Sequence, residues 1–313
     1  MQRQIENAQR DGISLLSIAD QAYPKLLKQI SDPPAMLWVR GELSQIPGPD
    51  VAIVGTRRAS PYGRRTAHRL AFQLASKGVR IVSGLAYGID AAAHHGAIDA
   101  GGQTVAVLGS GVDQIYPREH RELASAIEKQ GCVISELDPN EAPEAHNFPV
   151  RNRIISGLCR AVIVVEAFER AGALITSRSA IDQNRDVYFV PGRIDEQTSK
   201  GTNISLLRGE GQILCSVEQV LDDLRTQGFL EPDVTQADPV VAHTEELRPD
   251  LERKIIAALR QSSLHIDELD RILSQSNGSA GGELWVALLN LECDGAIRSI
   301  SGNRYEISSR SAA

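Results

Sequence analysis

Residues 51–70 read VAIVGTRRASPYGRRTAHRL: an apolar run of strand type, one glycine, then Arg57, Arg58, Arg64, Arg65 and Arg69 with no carboxylate among them. The chain as a whole carries a formal charge of -7, so this gathering of positive charge behind a strand is local. Working outward, the same kind of run recurs as VRIVSG (79–84), TVAVLGSG (104–111), CVISEL (132–137), AVIVVEA (161–167) and DVYFVPG (186–192). The segments between them mostly have helical periodicity. Runs that are apolar on both faces belong to strands covered by helices on either side, so the pattern predicts an α/β fold with a doubly wound, mainly parallel sheet. In such sheets ligands bind outside the carboxyl ends of the strands, where tight turns and helix N-termini present amides to anions.

Composition sets the outer limits. The 313 residues are 42% apolar, which suits a folded globular chain. The N-terminus, MQRQIENAQRDGIS, lacks the basic-then-apolar plan of an export signal, and no stretch is apolar enough to span a membrane; a cytoplasmic protein is expected. Cys132, Cys159, Cys215 and Cys293 are far apart and form no CxxC, so reduced thiols are expected rather than disulfides or a zinc site.

Around the central block, residues 1–45 read as a short arm whose Asp32-Pro33-Pro34 cannot continue a helix. Residues 46–225 form the main domain, closed by a helix near CSVEQVLDDLR (215–225). The polar, proline-marked stretch 226–249 reads as a linker. Residues 250–313 give three helical periods and a two-strand ending with Gly302-Asn303 at the turn, the plan of a small winged-helix domain. The third period, GELWVALLNLECDG (282–295), has no arginine or lysine, unlike a helix made for the major groove. A protein-contact or autoinhibitory role suits it better than duplex binding.

The chemistry-bearing motifs are turns. Gly55-Thr56-Arg57 follows the first strand but is not GxGxxG, and no GxxxxGK[ST] exists in the chain, so common dinucleotide and P-loop binding lack support. What remains is a glycine turn, a hydroxyl and guanidiniums that can fork onto phosphate. SGLAYGIDAAAHHGAI (83–98) repeats the device with Gly84 and Gly88, and Asp90 is placed to cap the following helix. His94 and His95 are adjacent, diverge by about 100° on a helix and cannot share one metal. Gly109 marks a third turn, followed by Arg118. HNFPVRNRIISGLCR (146–160) sets Phe148 beside Arg151, Asn152 and Arg153, the combination of stacking surface and phosphate partners by which single strands are held without sequence readout. Glu166 ends a strand, where it could act as an acid or base or pin an arginine of the RNR group, the second being favoured. Gly172 and Thr176 form another strand-to-helix turn, and Lys200 and Asn203 stand on the last loop. No nucleophile elbow or triad setting is recognisable, and no cofactor or metal is implied.

Taken together, VAIVGTRRASPYG, SGLAYGIDAAAHHGAI, GSGVDQIYP, NFPVRNRIISGL, EAFERAGALITSRSA, VPG and SKGTNISLL resemble, in order over about residues 20–225, the DNA-processing protein A family (DprA, also called Smf). The resemblance implies an extended Rossmann-like domain that binds single-stranded DNA, forms a homodimer and helps load the cytoplasmic strand-exchange recombinase during DNA uptake and natural transformation, without catalysis. Carried over motif by motif, it places DNA binding at Gly55, Thr56 and Arg57 and at Phe148, Arg151, Asn152 and Arg153, with Arg118 and Lys200 as additions. Gly84, Gly88, Gly109, Glu166, Gly172, Thr176 and Asn203 would support the pocket. Members commonly have a basic residue where Val150 stands, and many have a longer N-terminal helical domain than the roughly twenty residues before AYPKLLKQI here. The alternatives are a phosphoribohydrolase-like enzyme and a nucleotide-sensing pocket. The enzyme would need a PGGxGTxxE loop, of which only PGR and a later GTN are present.

Overall fold

The computed structural model describes residues 8, 10, 12–43, 48–231, 250–260, 263–277, 284, 287, 288, 290–292, 296–300 and 304–307. Two compact units divide at Glu231 and Pro232.

In the first unit the strands are β1 (Ile13–Ser17), β2 (Met36–Gly41), β3 (Asp50–Val54), β4 (Arg80–Ser83), β5 (Thr104–Val107), β6 (Cys132–Ser135), β7 (Ala161–Val164), β8 (Asp186–Phe189) and β9 (Gln212–Ile213). They join in one nine-stranded sheet of order β1-β2-β6-β5-β4-β3-β7-β8-β9. From β6 to β9 all neighbours are parallel, with Val51 opposite both Ile81 and Ala161. The six runs read from the sequence are the six strands β3 to β8.

The arm expected over residues 1–45 is instead part of the sheet. β1 pairs antiparallel with β2, and β2 pairs antiparallel with β6, setting Val39 against Ile134. Leu37 and Val39 are buried in the same core as β3. The proline-marked turn between the two parts is held by Tyr23, whose hydroxyl donates to the Pro34 carbonyl at 2.6 Å. β1 was hidden in the sequence because only Ile13 of its five residues is fully buried.

Strand alternation divides the apolar residues between two cores. Ala52 and Val54 of β3, with Val162 and Val164 of β7, enter one. Val51 and Ile53, with Ala161 and Ile163, enter the other. Successive side chains leave a strand on opposite faces, so each face needs its own helical cover. Helices α1 (Pro61–Ala75) and α2 (Ile89–Asp99) cover the second core, through Leu70, Leu74, Ile89 and Ala93. α3 (Arg121–Gln130) follows β5, and its Leu123 and Ile127 join a side cluster with Trp38 and Leu108. α4 (Asn147–Leu158) and α5 (Ala173–Asp182) cover the first core with Ile154, Ile155, Leu158, Leu174 and Ala180. α6 (Lys200–Leu207) and α7 (Val217–Thr226) complete the unit.

The second unit contains α8 (Asp250–Leu259), α9 (Ile266–Asn277) and a three-stranded antiparallel sheet of β10 (Leu264–His265), β12 (Arg304–Ile307) and β11 (Ile297–Ile300). Ile255, Leu269, Leu288, Leu291 and Tyr305 share its core. Most of the expected third helix, the Gly302-Asn303 turn and residues 232–249 of the expected linker lie outside the described residues. Among the described residues no helix is long and apolar enough to cross a membrane.

His94 and His95 lie in different surroundings, one buried and one exposed. The Thr104 hydroxyl donates to the Ile81 carbonyl at 2.8 Å, so it accepts from His94 Nδ1 at 2.7 Å. His94 Nε2 is then the unprotonated nitrogen, buried without a partner. Burial holds the ring neutral and lowers its pKa from 6.5 to about 3, with His95, His120 and Arg151 adding to the effect electrostatically. A histidine with a lowered folded pKa stabilises the fold above its unfolded pKa, and that contribution is lost as pH falls toward the folded value. Between pH 6.5 and 5.5 His94 should remove about 1 kcal/mol of unfolding free energy. Denaturant titrations at the two pH values should show this loss in the wild type and its absence in His94→Gln.

Candidate nucleic-acid interface

After β3 the chain builds β4, β5 and β6 to one side, and after β7 it builds β8 and β9 to the other. The two outgoing connections diverge at the β3–β7 seam, which opens a crevice beyond the strand ends. A cleft of about 650 Å³ occupies this position, lined by the Gly55–Arg58 turn, Tyr116, Phe148, Arg151, Asn152 and the Arg170–Ala173 turn, with Thr176 and Asp90 deeper in.

The β3 turn is fixed from below. Thr56 donates its amide to the Glu166 carbonyl at 2.8 Å, and its hydroxyl accepts from the Arg58 amide at 3.1 Å. Gly88 passes so close that a β-carbon there would stand 2.4 Å from the Thr56 carbonyl oxygen, and its φ of 81° belongs to the left-handed region. Only glycine satisfies both demands. Asp90 does not cap α2, which begins at Ile89. Its Oδ2 accepts from the amides of Gly84 and Ala86 at 3.1 and 3.4 Å, closing the loop upstream of the helix. Starting the helix earlier than the sequence suggested puts Asp90 inside the first turn, from which it reaches back to the loop.

Arg57 is exposed, and its guanidinium carbon lies 5.0 Å from the centroid of the Phe148 ring. Tyr116 approaches the same ring with centroids 5.7 Å apart. Phe148 also abuts Gly109, where a β-carbon would come within 2.9 Å of the ring. A half-buried ring, an exposed tyrosine and an unpaired guanidinium therefore share one wall of the cleft.

The RNR segment does not act as a unit. Arg151 is only 6% exposed. Its Nη1 donates to the Val107 carbonyl and packs against Gly84, while its Nε has no hydrogen-bond partner. Burial lowers its pKa to about 10, opposed by the attraction of Asp90 and assisted by the repulsion of Arg57. Asn152 donates from Nδ2 to the Gly172 carbonyl at 3.3 Å. Arg153 is outside the cleft, bonded to Glu136 at 2.8 Å and Asp32 at 3.1 Å. Two residues along a helix turn the side chain by about 200°, so Arg151 and Arg153 face opposite ways.

Glu166 does not pin an arginine of this group. Its carboxylate accepts from the Ser60 amide at 2.9 Å and the Ser60 hydroxyl at 2.6 Å, and lies against Gly63. The reason is topological: β7 neighbours β3, so the end of β7 meets the start of α1. Arg118, the first residue of a 3-10 turn, and Lys200, the first residue of α6, are exposed and do not line the cleft. Asn203 is likewise outside, holding Gly192 of the PGR turn through both its amide nitrogen and carbonyl oxygen at 3.1 and 3.0 Å. Tyr116 and Arg170 line the cleft without having been singled out. Tyr116 was signalled only by standing before Pro117, and Arg170 only by its place ahead of the Gly172 turn.

A cleft with a basic rim and an aromatic wall thus lies at the switch point of a Rossmann-like, doubly wound sheet. The chain belongs to the DNA recombination-mediator protein A family, whose model matches residues 14–225. Protein Smf of Synechocystis is 36% identical over 96% of this chain and 82% of its own length. DprA of Bacillus subtilis is 39% identical over 71% of this chain and 75% of its own. Among solved structures, DprA of Streptococcus pneumoniae superposes with a TM-score of 0.65 at 39% identity, covering 70% of this chain and 77% of that one. DprA of Helicobacter pylori, whose structure was described for its single-stranded DNA binding mode, gives 0.62 at 30% identity over 69% of this chain and 96% of that one. The family is one of recombination mediators.

The Glu166–Ser60 contact carries a direct expectation. In Glu166→Gln an amide nitrogen must replace one acceptor beside a buried donor, at a cost of about 1–3 kcal/mol. Ser60→Ala, which removes the hydroxyl's bond to Glu166 and the cap but keeps the amide's bond, should cost about 1 kcal/mol. Denaturant midpoints of the two variants and of the double variant, where the losses should not add, check the coupling.

Proposed function

We propose that this protein binds single-stranded DNA in the switch-point cleft, with phosphates drawn to Arg57 and neighbouring cations and bases stacked on the Phe148–Tyr116 wall. The observation that carries the reading is the guanidinium of Arg57 over the Phe148 ring at the mouth of the cleft. Single-strand binders combine a positive groove with aromatic surfaces, because every base has a flat face and every nucleotide a charge. The single-stranded DNA binding mode for which the H. pylori relative's structure was described supports the same ligand. We infer further that the bound strand is passed to a strand-exchange recombinase during DNA uptake, in keeping with a family of recombination mediators, and that the working form is a homodimer.

Mobility shifts with a poly-dT strand and a matched duplex across a salt series test the ligand. The strand should be preferred and binding should fall steeply with salt. Phe148→Ala should weaken strand binding by about 1–3 kcal/mol, and Arg57→Ala should weaken it and reduce the salt slope by about 1. Arg153→Ala, outside the cleft, should leave affinity near the wild type. Equal affinity for strand and duplex, or no effect of Arg57→Ala, would sink the reading. Arg151 is a poorer probe, because its buried guanidinium is bonded to the Val107 carbonyl and its removal would disturb the fold as well as the cleft.

A further inference from the structure

α1 carries no acidic residue, and its arginines are not all accounted for by the switch-point cleft. A second cleft of about 510 Å³ lies along the other side of this helix, between Tyr62, Thr66, Arg69 and Gln73 and the segment from Leu214 to Glu218. Tyr62 is 50% exposed and Arg69 is exposed. Among the described residues neither side chain is engaged by a hydrogen bond or ion pair. On the helix Tyr62, Thr66, Arg69 and Gln73 fall at i, i+4, i+7 and i+11, one face. The first cleft is lined by Arg57 and Arg58, just ahead of α1 in the chain, and the second by Tyr62 in the first turn of that helix. An aromatic and an unpaired cation thus recur just beyond the first pair.

We propose that the cleft beside α1 is a second subsite for the same single strand, in which Tyr62 stacks a base and Arg69 holds a phosphate of the nucleotides that continue past the first cleft. This rests on the single-strand reading of the first cleft. Charge supports it through Arg69, which lines the cleft from a helix that carries no carboxylate. Glu218 on the opposite wall confines the phosphates to the α1 side. A strand crossing the helix N-terminus also meets the positive end of the helix dipole.

Length dependence separates the two subsites. Fluorescence anisotropy would compare thymidine oligomers of about six and about fifteen nucleotides, lengths that bracket a single binding groove. The wild type should bind the longer oligomer more tightly. Tyr62→Ala and Arg69→Ala should each weaken the longer oligomer by about tenfold and leave the shorter one within about twofold. Tyr62→Phe should restore the loss, because stacking needs the ring and not the hydroxyl. Arg57→Ala should weaken both lengths. If the longer oligomer is unaffected by Tyr62→Ala and Arg69→Ala while both lengths respond to Arg57→Ala, the second subsite is refuted and the first stands. If neither oligomer binds the wild type, both readings fall. A change of mass in light scattering, with unchanged binding of the longer oligomer, would assign the cleft to contact between copies of this chain and overturn the proposal.

Discussion

A buried carboxylate at the β3–β7 seam ties the molecule together. Glu166 is 2% exposed, and its carboxylate is gripped by the amide and hydroxyl of Ser60. Its own carbonyl accepts the Thr56 amide. One residue at the end of β7 therefore fixes both the turn leaving β3 and the first turn of α1. The Ser60 hydroxyl accepts from the Gly63 amide at 3.0 Å, so the chain of bonds runs from strand to helix cap. Burying a carboxylate is costly unless its hydrogen bonds are made and the local field is positive, and a helix N-terminus supplies both. The position of Arg57, between Thr56 and Ser60 in the chain, follows from this grip.

How charge is used explains how an acidic chain can present a basic surface. Many arginines are structural: Arg80 forms two bonds to the buried Asp50 at 2.5 and 2.8 Å, Arg153 joins Asp32 and Glu136, and Arg185 reaches the Leu26 carbonyl. Arg151 stands between the two uses, lining the cleft while its guanidinium is spent on Val107 and the charge of Asp90. Five exposed arginines, Arg57, Arg58, Arg64, Arg65 and Arg69, follow one another where the chain leaves β3. Net charge is a sum over the whole surface and says little about one edge of a sheet.

The six central strands were legible because two-sided burial leaves a run of apolar residues that no turn or amphipathic helix imitates. β1 and β2 were not, since an antiparallel edge needs few buried residues and the prolines between them suggested an irregular arm. In the cleft, Arg57 and Phe148 were legible from their turns, and the structure adds that they meet. Arg151 and Arg153 could not be separated without knowing that FPVRNR is already inside α4. The partner of Glu166 was hidden for a different reason: Ser60 is more than a hundred residues away, and only the order of strands brings the two together.

The Arg57–Phe148 pair has a consequence for the empty protein. An aromatic ring held ready for a base, if left bare, would be an apolar face open to any flat surface, including that of another copy. The guanidinium covers it with a charge that remains hydrated on its outer side. On the single-strand reading proposed above, ligand entry would be an exchange, in which the arginine moves from ring to phosphate and the base takes the ring. Cover and hook would then be the same side chain, and the proposed ligand is one that carries both a flat ring and an adjacent negative charge.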